Sequence, residues 1–343
     1  MMKKIFLLLI AAASGLAATA QDFKTPYITK PLPADLKKVF VNTSGGSISV
    51  SGTGEEPRVE VYIRGNNMDQ SFTKDEITKA LQKDYIFSVE VSGGELHATA
   101  KRKGSFNFNG RRSLSVSFKV YTGRQVSSNL NTSGGSISLA SLTGTQNFET
   151  SGGSLSINDV AGVIKGETSG GSINVSNSKN DIDLETSGGS ITANNCQGNI
   201  RLETSGGSLK LDNLNGNIKA NTSGGSVNGS KITGELYTGT SGGSINLMAV
   251  SGSVDASTSA GSVHVQMLKV GKFVKLDTGA GHIDLELPTK QGLNLDVTGN
   301  RITIDMEGTF SGSKEKEKVF GKLNGGGPVV EIRGDSGVSL TTE

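Results

Sequence analysis

The sequence has little of what usually builds a globular core or a disulfide scaffold. It has no tryptophan and one cysteine, and aromatic residues make up 5% of its 343 positions. The single Cys196 excludes an intramolecular disulfide. Charge is nearly balanced, with 34 Lys and Arg against 32 Asp and Glu. Such a chain has no long-range attraction toward nucleic acid or an anionic membrane, so we expect neither as a partner.

What the sequence has instead is a strict internal repeat. The pentapeptide Thr-Ser-Gly-Gly-Ser opens seven successive blocks of 18 residues, and we number positions 1 to 18 from its threonine. A variant eighth copy begins at Thr258, a looser ninth at Thr278 and an isolated early copy at Thr43. A fixed period of this length is typical of stacked structural units. The seven regular blocks begin at Thr132, Thr150, Thr168, Thr186, Thr204, Thr222 and Thr240.

Apolar residues recur at the same positions of each block. A spacing of two is that of side chains on one face of a β-strand, so each block is predicted to hold two short strands. Glycines at positions 3, 4 and 13 are predicted to form two corners, because glycine reaches positive φ without steric cost. In the block from Thr186, positions 6, 8, 11, 15 and 17 are Ile191, Ala193, Cys196, Ile200 and Leu202. Cys196 is therefore interpreted as a small buried hydrophobe rather than a reactive thiol.

Two strands and two corners cannot bury a core alone, but coils stacked about 4.8 Å apart enclose one. The sequence predicts an all-β, single-stranded parallel β-helix, or solenoid, with 18-residue coils and two short strands per coil. One short helix is predicted near residues 74–84, because Thr73 and Glu76 have the spacing of a capping box. The predicted parts of one continuous domain over 21–343 are an N-terminal cap with irregular first coils at 21–130, the regular solenoid at 131–309 and a loop with closing strands at 310–343.

The first twenty residues have the pattern of a secretory signal peptide. A basic start at Lys3 and Lys4 precedes a short apolar run, and Ala18-Thr19-Ala20 is a small-x-small cleavage site. The mature protein is therefore predicted to begin near Gln21, to carry no transmembrane segment and to lie in the periplasm, in the medium or at the cell surface.

Three segments outside the repeat are predicted to be irregular. Residues 21–40 contain three prolines and are interpreted as a lead-in without regular structure. The basic tract 101–112 includes Phe106 and Phe108, a composition also found in nucleic-acid grooves, but we interpret it as a mobile hairpin loop. The charge run 314–318 is interpreted as a solvated loop.

The repeat also indicates a family. The unit Thr-Ser-Gly-Gly-Ser-Ile-x-Val, with Gly-x-Ile before the next copy, resembles the bacterial putative-adhesin family of β-strand repeats. These are envelope domains of unknown function related to adhesin heads. The resemblance covers roughly residues 40–343 and implies a β-repeat fold with no catalytic residues to carry over.

No sequence motif of a known chemistry is present. The chain lacks a Ser-His-Asp signature, a phosphate-binding loop, zinc-ligand spacing and the aspartate-containing turn of calcium-binding repeats, so no cofactor and no metal are predicted. The three histidines, His97, His264 and His282, are interpreted as surface residues, although the last two could approach one another.

One set of charged residues is a candidate ligand face. Position 18 carries a stacked acidic row that begins at Glu149, and position 16 carries a mixed row that includes Lys165. Three interpretations stay open: a salt-bridged outer face, a face that binds a cation or a glycan, and a catalytic face. The candidate residues are Glu167, Asp183, Glu185, Arg201, Glu203 and Lys219, of which Asp183, Glu185, Arg201 and Glu203 would carry the catalytic interpretation.

The sequence therefore predicts a non-enzymatic, exported β-solenoid, an adhesin or a surface or assembly protein of the cell envelope. The expected partner is a surface glycan or an envelope or matrix protein. A polysaccharide-binding or polysaccharide-cleaving β-helix is one alternative, and a periplasmic envelope-signalling partner is another. The regular blocks contain no insertion that would build a cleft, which favours the binding role.

Overall fold

A computed structural model describes residues 25–65, 73–104 and 113–343. The predicted signal segment and residues 105–112 of the basic tract lie outside the described residues, so neither of those predictions is tested. The described residues contain one helix, α1 (Lys74–Asp84), and 22 strands. The strands are β1 (Ile28–Pro31), β2 (Lys38–Thr43), β3 (Ile48–Ser51), β4 (Arg58–Gly65), β5 (Tyr85–Ser92), β6 (Glu95–Arg102), β7 (Leu114–Tyr121), β8 (Ser127–Thr132), β9 (Ile137–Thr150), β10 (Leu155–Thr168), β11 (Ile173–Ser176), β12 (Lys179–Thr186), β13 (Ile191–Thr204), β14 (Leu209–Thr222), β15 (Val227–Thr240), β16 (Ile245–Thr258), β17 (Val263–Thr278), β18 (Ile283–Leu287), β19 (Leu293–Asp305), β20 (Phe310–Lys314), β21 (Lys318–Leu323) and β22 (Val329–Thr342).

The regular coils stack in parallel, each residue lying beside the residue 18 positions later. Ile164 is paired with Ile182, Ile182 with Ile200 and Ile200 with Ile218. These four side chains are at most 2% exposed, so each inward position of the block becomes one column of the core. The predicted parallel β-solenoid is confirmed.

Each coil has a corner that the sequence analysis did not predict. The hydrogen-bonded ladder of most coils runs through the glycine at position 13 as one bent 14-residue strand, and only the coil from Thr168 divides, into β11 and β12. A further corner lies at position 10, where Asn177, Asn195 and Asn213 have φ near +52°. Asparagine tolerates this left-handed conformation. The Asn213 amide also donates to the Asn195 side chain at 2.7 Å.

In the seven regular copies neither glycine of the pentapeptide has a positive φ, and only the second is required for close packing. In the coil from Thr150, a Cβ on Gly153 would lie 2.0 Å from the carbonyl oxygen of Gly135 in the preceding coil. A Cβ on Gly152 would meet nothing nearer than 3.8 Å. Position 4 therefore excludes every side chain, whereas position 3 has room, and Ala260 occupies that position in the eighth copy.

The threonine and serine of the pentapeptide join neighbouring coils. The hydroxyl of Thr150, 1% exposed, donates to the Gly135 carbonyl at 2.9 Å and accepts from the Gly153 amide at 3.3 Å. Buried backbone groups that would lose a partner at the turn are thus satisfied. At position 5, the amide of Ser208 donates to the hydroxyl of Ser190 in the coil before it, at 3.1 Å.

At the N-terminal end the layers do not follow the order of the chain. Strand β2 lies between β6 and β8, and β3 lies between β7 and β9, all in parallel. The early copy at Thr43 is therefore a layer inserted between two later ones. Antiparallel β5 covers β6, and antiparallel β4 covers β7. These strands close the end of the sheet against further pairing.

The lead-in predicted to lack regular structure contains two strands, β1 and the start of β2. β1 pairs antiparallel with β4 and ends at Pro31, as suits an edge strand, where a missing amide proton costs least. The predicted helix is confirmed as α1, and both hydrogen bonds of the Thr73–Glu76 capping box are present. Ile77 and Leu81 of α1 are buried.

The C-terminal end repeats the inserted-layer arrangement. Strand β22 pairs on one side with β17 and β18 and on the other with β19, so the end of the chain lies inside the stack. Antiparallel β21 covers part of β19, and β20 pairs with β21. The charge run predicted as a loop joins these two strands and also supplies their adjoining ends, Lys314 and Lys318.

Candidate functional site

The candidate residues lie together on the outer face made by positions 14, 16 and 18 of successive coils. Glu149, Glu167, Glu185 and Glu203 are paired in register as one column. Lys165, Asp183, Arg201 and Lys219 form the adjacent column at position 16. We call these eight residues the charged face.

Arg201 is the centre of the ion pairing on the charged face. Its Nη1 lies 2.7 Å from Asp183 Oδ1 and 3.9 Å from Glu185 Oε2, and its Nη2 binds Glu203. The hydrogen bond that the guanidinium donates to Asp183, with the charges of Asp183, Glu203 and Glu185, raises the pKa of Arg201. The Arg201 side chain is 42% exposed, so water screens these contacts and they contribute little to stability.

The two lysines of the charged face form no ion pair with the acidic row. Within the described part of the chain, Lys165 and Lys219 form no salt bridge, and neither does Glu167. Glu149 accepts a long contact of 3.5 Å from the Asn131 amide. Among the described residues, the direct ion pairs of the acidic row are those of Arg201, toward the C-terminal end of the row.

The charged face is open and shallow. A depression of about 410 Å³ runs along positions 14 to 16 and is lined by Val163, Asp181, Asn199 and Asn217 beside Arg201. The side chains of Asp183 and Glu185 are 42% and 53% exposed. A pair of carboxylates that divide the roles of acid and base needs different, sheltered environments, and this face supplies none.

A second groove, which the sequence did not single out, lies on the outer face of positions 7 and 9. Its volume is about 480 Å³, and we call it the amide groove. Its polar lining residues are Thr192, Asn194, Lys210, Asp212, Asn228, Ser230 and Asn246. Ser230 and Asp212 bind each other at 2.5 Å. Positions 7 and 9 hold no single residue type, so no column was visible in the sequence.

Two aromatic contacts lie on the same sheet face as the charged residues, one beyond each end of the row. Phe40 stacks on His97 with ring centroids 4.7 Å apart and planes at 7°. Tyr237 and Phe273 lie 6.1 Å apart with their rings tilted at 53°. The sequence did contain a signal for these contacts, since an aromatic residue at an outward position is unusual in a chain with so few aromatic residues.

His282 lies in a cluster that superficially resembles a hydrolase triad. Its Nε2 is 3.0 Å from Asp284 Oδ1 and 2.9 Å from Ser339 Oγ. A proton relay requires the carboxylate and the hydroxyl on different ring nitrogens, and here the same nitrogen makes both contacts. His264 is in register with Asp284, so the two histidines lie in adjacent layers. The cluster thus joins the layers of β18 and β22 and is not built for nucleophilic catalysis.

The predicted burial of Cys196 is confirmed, since it is 2% exposed and unpaired. Burial raises the pKa of its thiol. Among residues 25–65, 73–104 and 113–343, no group of three metal-ligating side chains converges. No helix in those ranges is both long and apolar enough to cross a membrane.

Comparison with known proteins gives a match to one domain family over part of the chain. Residues 226–338 match the family model Toastrack DUF4097, which confirms the resemblance to a domain of unknown function over that stretch. No curated protein sequence matches the chain.

Two solved structures are similar to the chain at low identity. One is a putative cell adhesion protein from Clostridium sporogenes, 11% identical over 92% of this chain and 98% of its own, with a TM-score of 0.18. The other is a putative adhesin from Bacteroides fragilis, 11% identical over 92% of this chain and 95% of its own, with a TM-score of 0.27. Both scores are low, and the fold assignment depends on the chain's own strand register.

Proposed function

We propose that this protein is an exported, non-enzymatic β-solenoid of the cell envelope that uses its flat polar faces for adhesion or assembly. The supporting observation is the uninterrupted stacking of outward polar columns from β9 to β16, all with the same 18-residue offset. A long flat surface of this kind offers many weak, repeated contacts. Repetition raises the avidity of binding to a repetitive partner without any single deep site.

The partner class that this surface fits best is a glycan. The amide groove presents Asn194, Asn228 and Asn246, whose side-chain amides form no hydrogen bond within the described residues. Amide groups both donate and accept, which suits sugar hydroxyls. The corner asparagines Asn195 and Asn213, in contrast, are already bonded to their neighbours.

Binding to a polysaccharide through the charged face is the second candidate. It is favoured by Lys165 and Lys219, which have no ion-pair partner among the described residues and remain available to an acidic sugar. Cleavage of a polysaccharide is less well supported, because the carboxylates of this face are exposed and no segment covers them.

A binding experiment with matched variants of the two faces tests the proposal. The purified mature chain would be screened against neutral and acidic polysaccharides and matrix proteins, with cell fractionation to establish its location. Asn228→Asp with Asn246→Asp alters the amide groove, and Lys165→Gln with Lys219→Gln alters the charged face. We expect loss of neutral-glycan binding in the first pair only.

Two results would contradict the proposal. Release of reducing or unsaturated sugar ends by the wild-type chain, abolished by Glu185→Gln with Glu203→Gln, would make it an enzyme. A purely cytosolic location would exclude an envelope role.

A further inference from the structure

The C-terminal strand β22 fills a slot between layers that precede it in the chain. Its first half pairs with β17 and its second half with β18, while β19 lies along its other edge. The inward side chains Val330, Ile332, Val338 and Leu340 are at most 1% exposed. The last residues of the chain are therefore part of the core, and the stack is incomplete without them.

The slot exists because β19 does not pair with the preceding coil. Among the described strands, β19 is hydrogen-bonded to β21 and β22 and not to β17 or β18. Until β22 is in place, the facing edges of β17–β18 and β19 are unpaired and about 9.6 Å apart, twice the strand spacing. Strand β22 follows β17, β18 and β19 in the chain, so in synthesis and in export it emerges after both edges of the slot. Until it emerges, the slot is open.

We infer that the open slot accepts β22 from a second copy of the chain as well as from its own, so that the protein forms strand-exchanged dimers. An unpaired sheet edge is a template for any matching strand. A second copy supplies the same inward side chains in the same register as the chain's own strand. This inference is independent of the proposed adhesive role, since it depends only on the topology of the C-terminal end.

The linker before β22 permits the exchange and fixes its geometry. Asn324, Gly325 and Gly326 have φ of 49°, 84° and 88°, and a side chain at Gly325 would contact nothing within 4 Å. Residues 324–328 span at most about 17 Å when extended. The two C-terminal ends must therefore lie side by side, and reciprocal exchange gives a closed two-fold dimer. The chain's own strand has an effective concentration in the millimolar range, so exchange requires high protein concentration during folding.

A full-length variant whose own strand cannot fill the slot tests whether a strand is accepted in trans. Ile332→Asp with Val338→Asp places two charges at buried positions of β22, and we expect resistance to proteolysis to fall about tenfold or more. A synthetic peptide of residues 327–343 with the native sequence is expected to bind one to one and restore resistance. The same peptide carrying both Asp changes should restore nothing.

The control chain carries Val329→Asp with Thr341→Lys, two outward positions of the same strand, and should resist proteolysis like the wild type. Position 341 lies in register with Glu286 and Asp305, so a lysine rather than an aspartate avoids like charges there. Failure of the native peptide to rescue the inward variant would overturn the inference. Full resistance of that variant without any peptide would overturn it as well.

Wild-type chains bearing two different tags provide the second measurement and do not depend on any variant folding. After joint refolding over a concentration series, we expect a mixed-tag dimer whose fraction rises with protein concentration and falls when excess native peptide is present. Monomers alone at every concentration would refute strand exchange between copies.

Discussion

At the scale of single residues, the pentapeptide Thr-Ser-Gly-Gly-Ser is a set of contacts between coils. Thr150 satisfies a carbonyl of the coil before it and an amide of its own coil. Gly153 lets the two turns approach, and the serine at position 5 accepts an amide from the next coil, as Ser190 does from Ser208. Only Gly152 has room for a side chain. The repeat is therefore a stacking motif, and its sequence carries no information about chemistry.

The two neighbouring glycines should respond very differently to alanine. Gly153→Ala places a methyl group 2.0 Å from the Gly135 carbonyl oxygen and is expected to cost about 1–3 kcal/mol or more of unfolding free energy. Gly152→Ala should change stability by less than about 1 kcal/mol, because the methyl group has room and alanine lowers the entropy of the unfolded chain. Urea denaturation of both variants measures the difference, and equal losses would contradict the packing explanation.

Cys196 should be inert in the folded protein. Burial raises the pKa of its thiol, so the thiolate that reacts is scarce at neutral pH. A thiol reagent should label the native chain slowly and the denatured chain at once. Fast stoichiometric labelling of native protein would contradict this.

The raised pKa of Cys196 also implies how the stability of the fold depends on pH. Because the folded-state pKa is raised, its contribution is fully present below the pKa of the unfolded thiol, about 8.5, and is lost as pH rises through the folded value. Stability measured against pH should therefore fall more in the wild type than in Cys196→Ala over the alkaline range.

At the scale of the element, each coil is a bent strand, and its outward side chains form columns with the equivalent side chains of neighbouring coils. The acidic column at position 18 places like charges on adjacent strands, an unfavourable arrangement that Arg201 offsets by contacting Asp183, Glu185 and Glu203. The charged face thus has direct ion pairs at one end and, among the described residues, none at the other. Glu149 and Glu167 belong to the end without them.

Removing Arg201 should therefore cost more than removing two of its partners. Arg201→Gln is expected to lower the unfolding free energy by up to about 1 kcal/mol, because three carboxylates are left side by side. Glu185→Gln with Glu203→Gln should change it by less than about 0.5 kcal/mol. Denaturation at low and high salt tests this, since screening should reduce the Arg201 effect. An Arg201 effect that is the same at both salt concentrations would show that it is not electrostatic.

At the scale of the whole molecule, both ends of the stack are closed by the same device. A layer from near each end of the described chain is inserted between two others, and antiparallel strands cover what remains exposed. At the N-terminal end the inserted layer is β2 with β3, and at the C-terminal end it is β22. Chain ends that would usually fray are held on two sides.

Hydrogen exchange should show this protection directly. Amides of β22 are expected to exchange as slowly as those of the central strand β14, because both are paired along two edges and bury their inward residues. Amides of β20, which is paired on one side with β21 and is largely exposed, should exchange much faster. Exchange in β22 at the rate of a free chain end would contradict the inserted position.

Most of the solenoid could be predicted from the sequence because its information is local and repeated. Ile200 and Cys196 are buried because strand alternation, read in 18-residue steps, places them inward. The corner at position 10 was missed, although Asp159, Asn177, Asn195 and Asn213 at that position were an available signal. For the charged face, the sequence predicted the columns, since register follows from the period.

What only the tertiary structure decided are the pairings between distant parts of the chain. The period does not say that Arg201 rather than Lys165 or Lys219 turns toward the carboxylates, because a long side chain chooses among neighbours that are all within reach. It also does not say that Thr43 lies between layers that come later, or that β22 lies between β18 and β19. Alternation of apolar residues specifies which side of a strand faces the core, but any strand with that alternation can pair at any edge. The order of the layers is set by which edges remain open as the ends of the stack close.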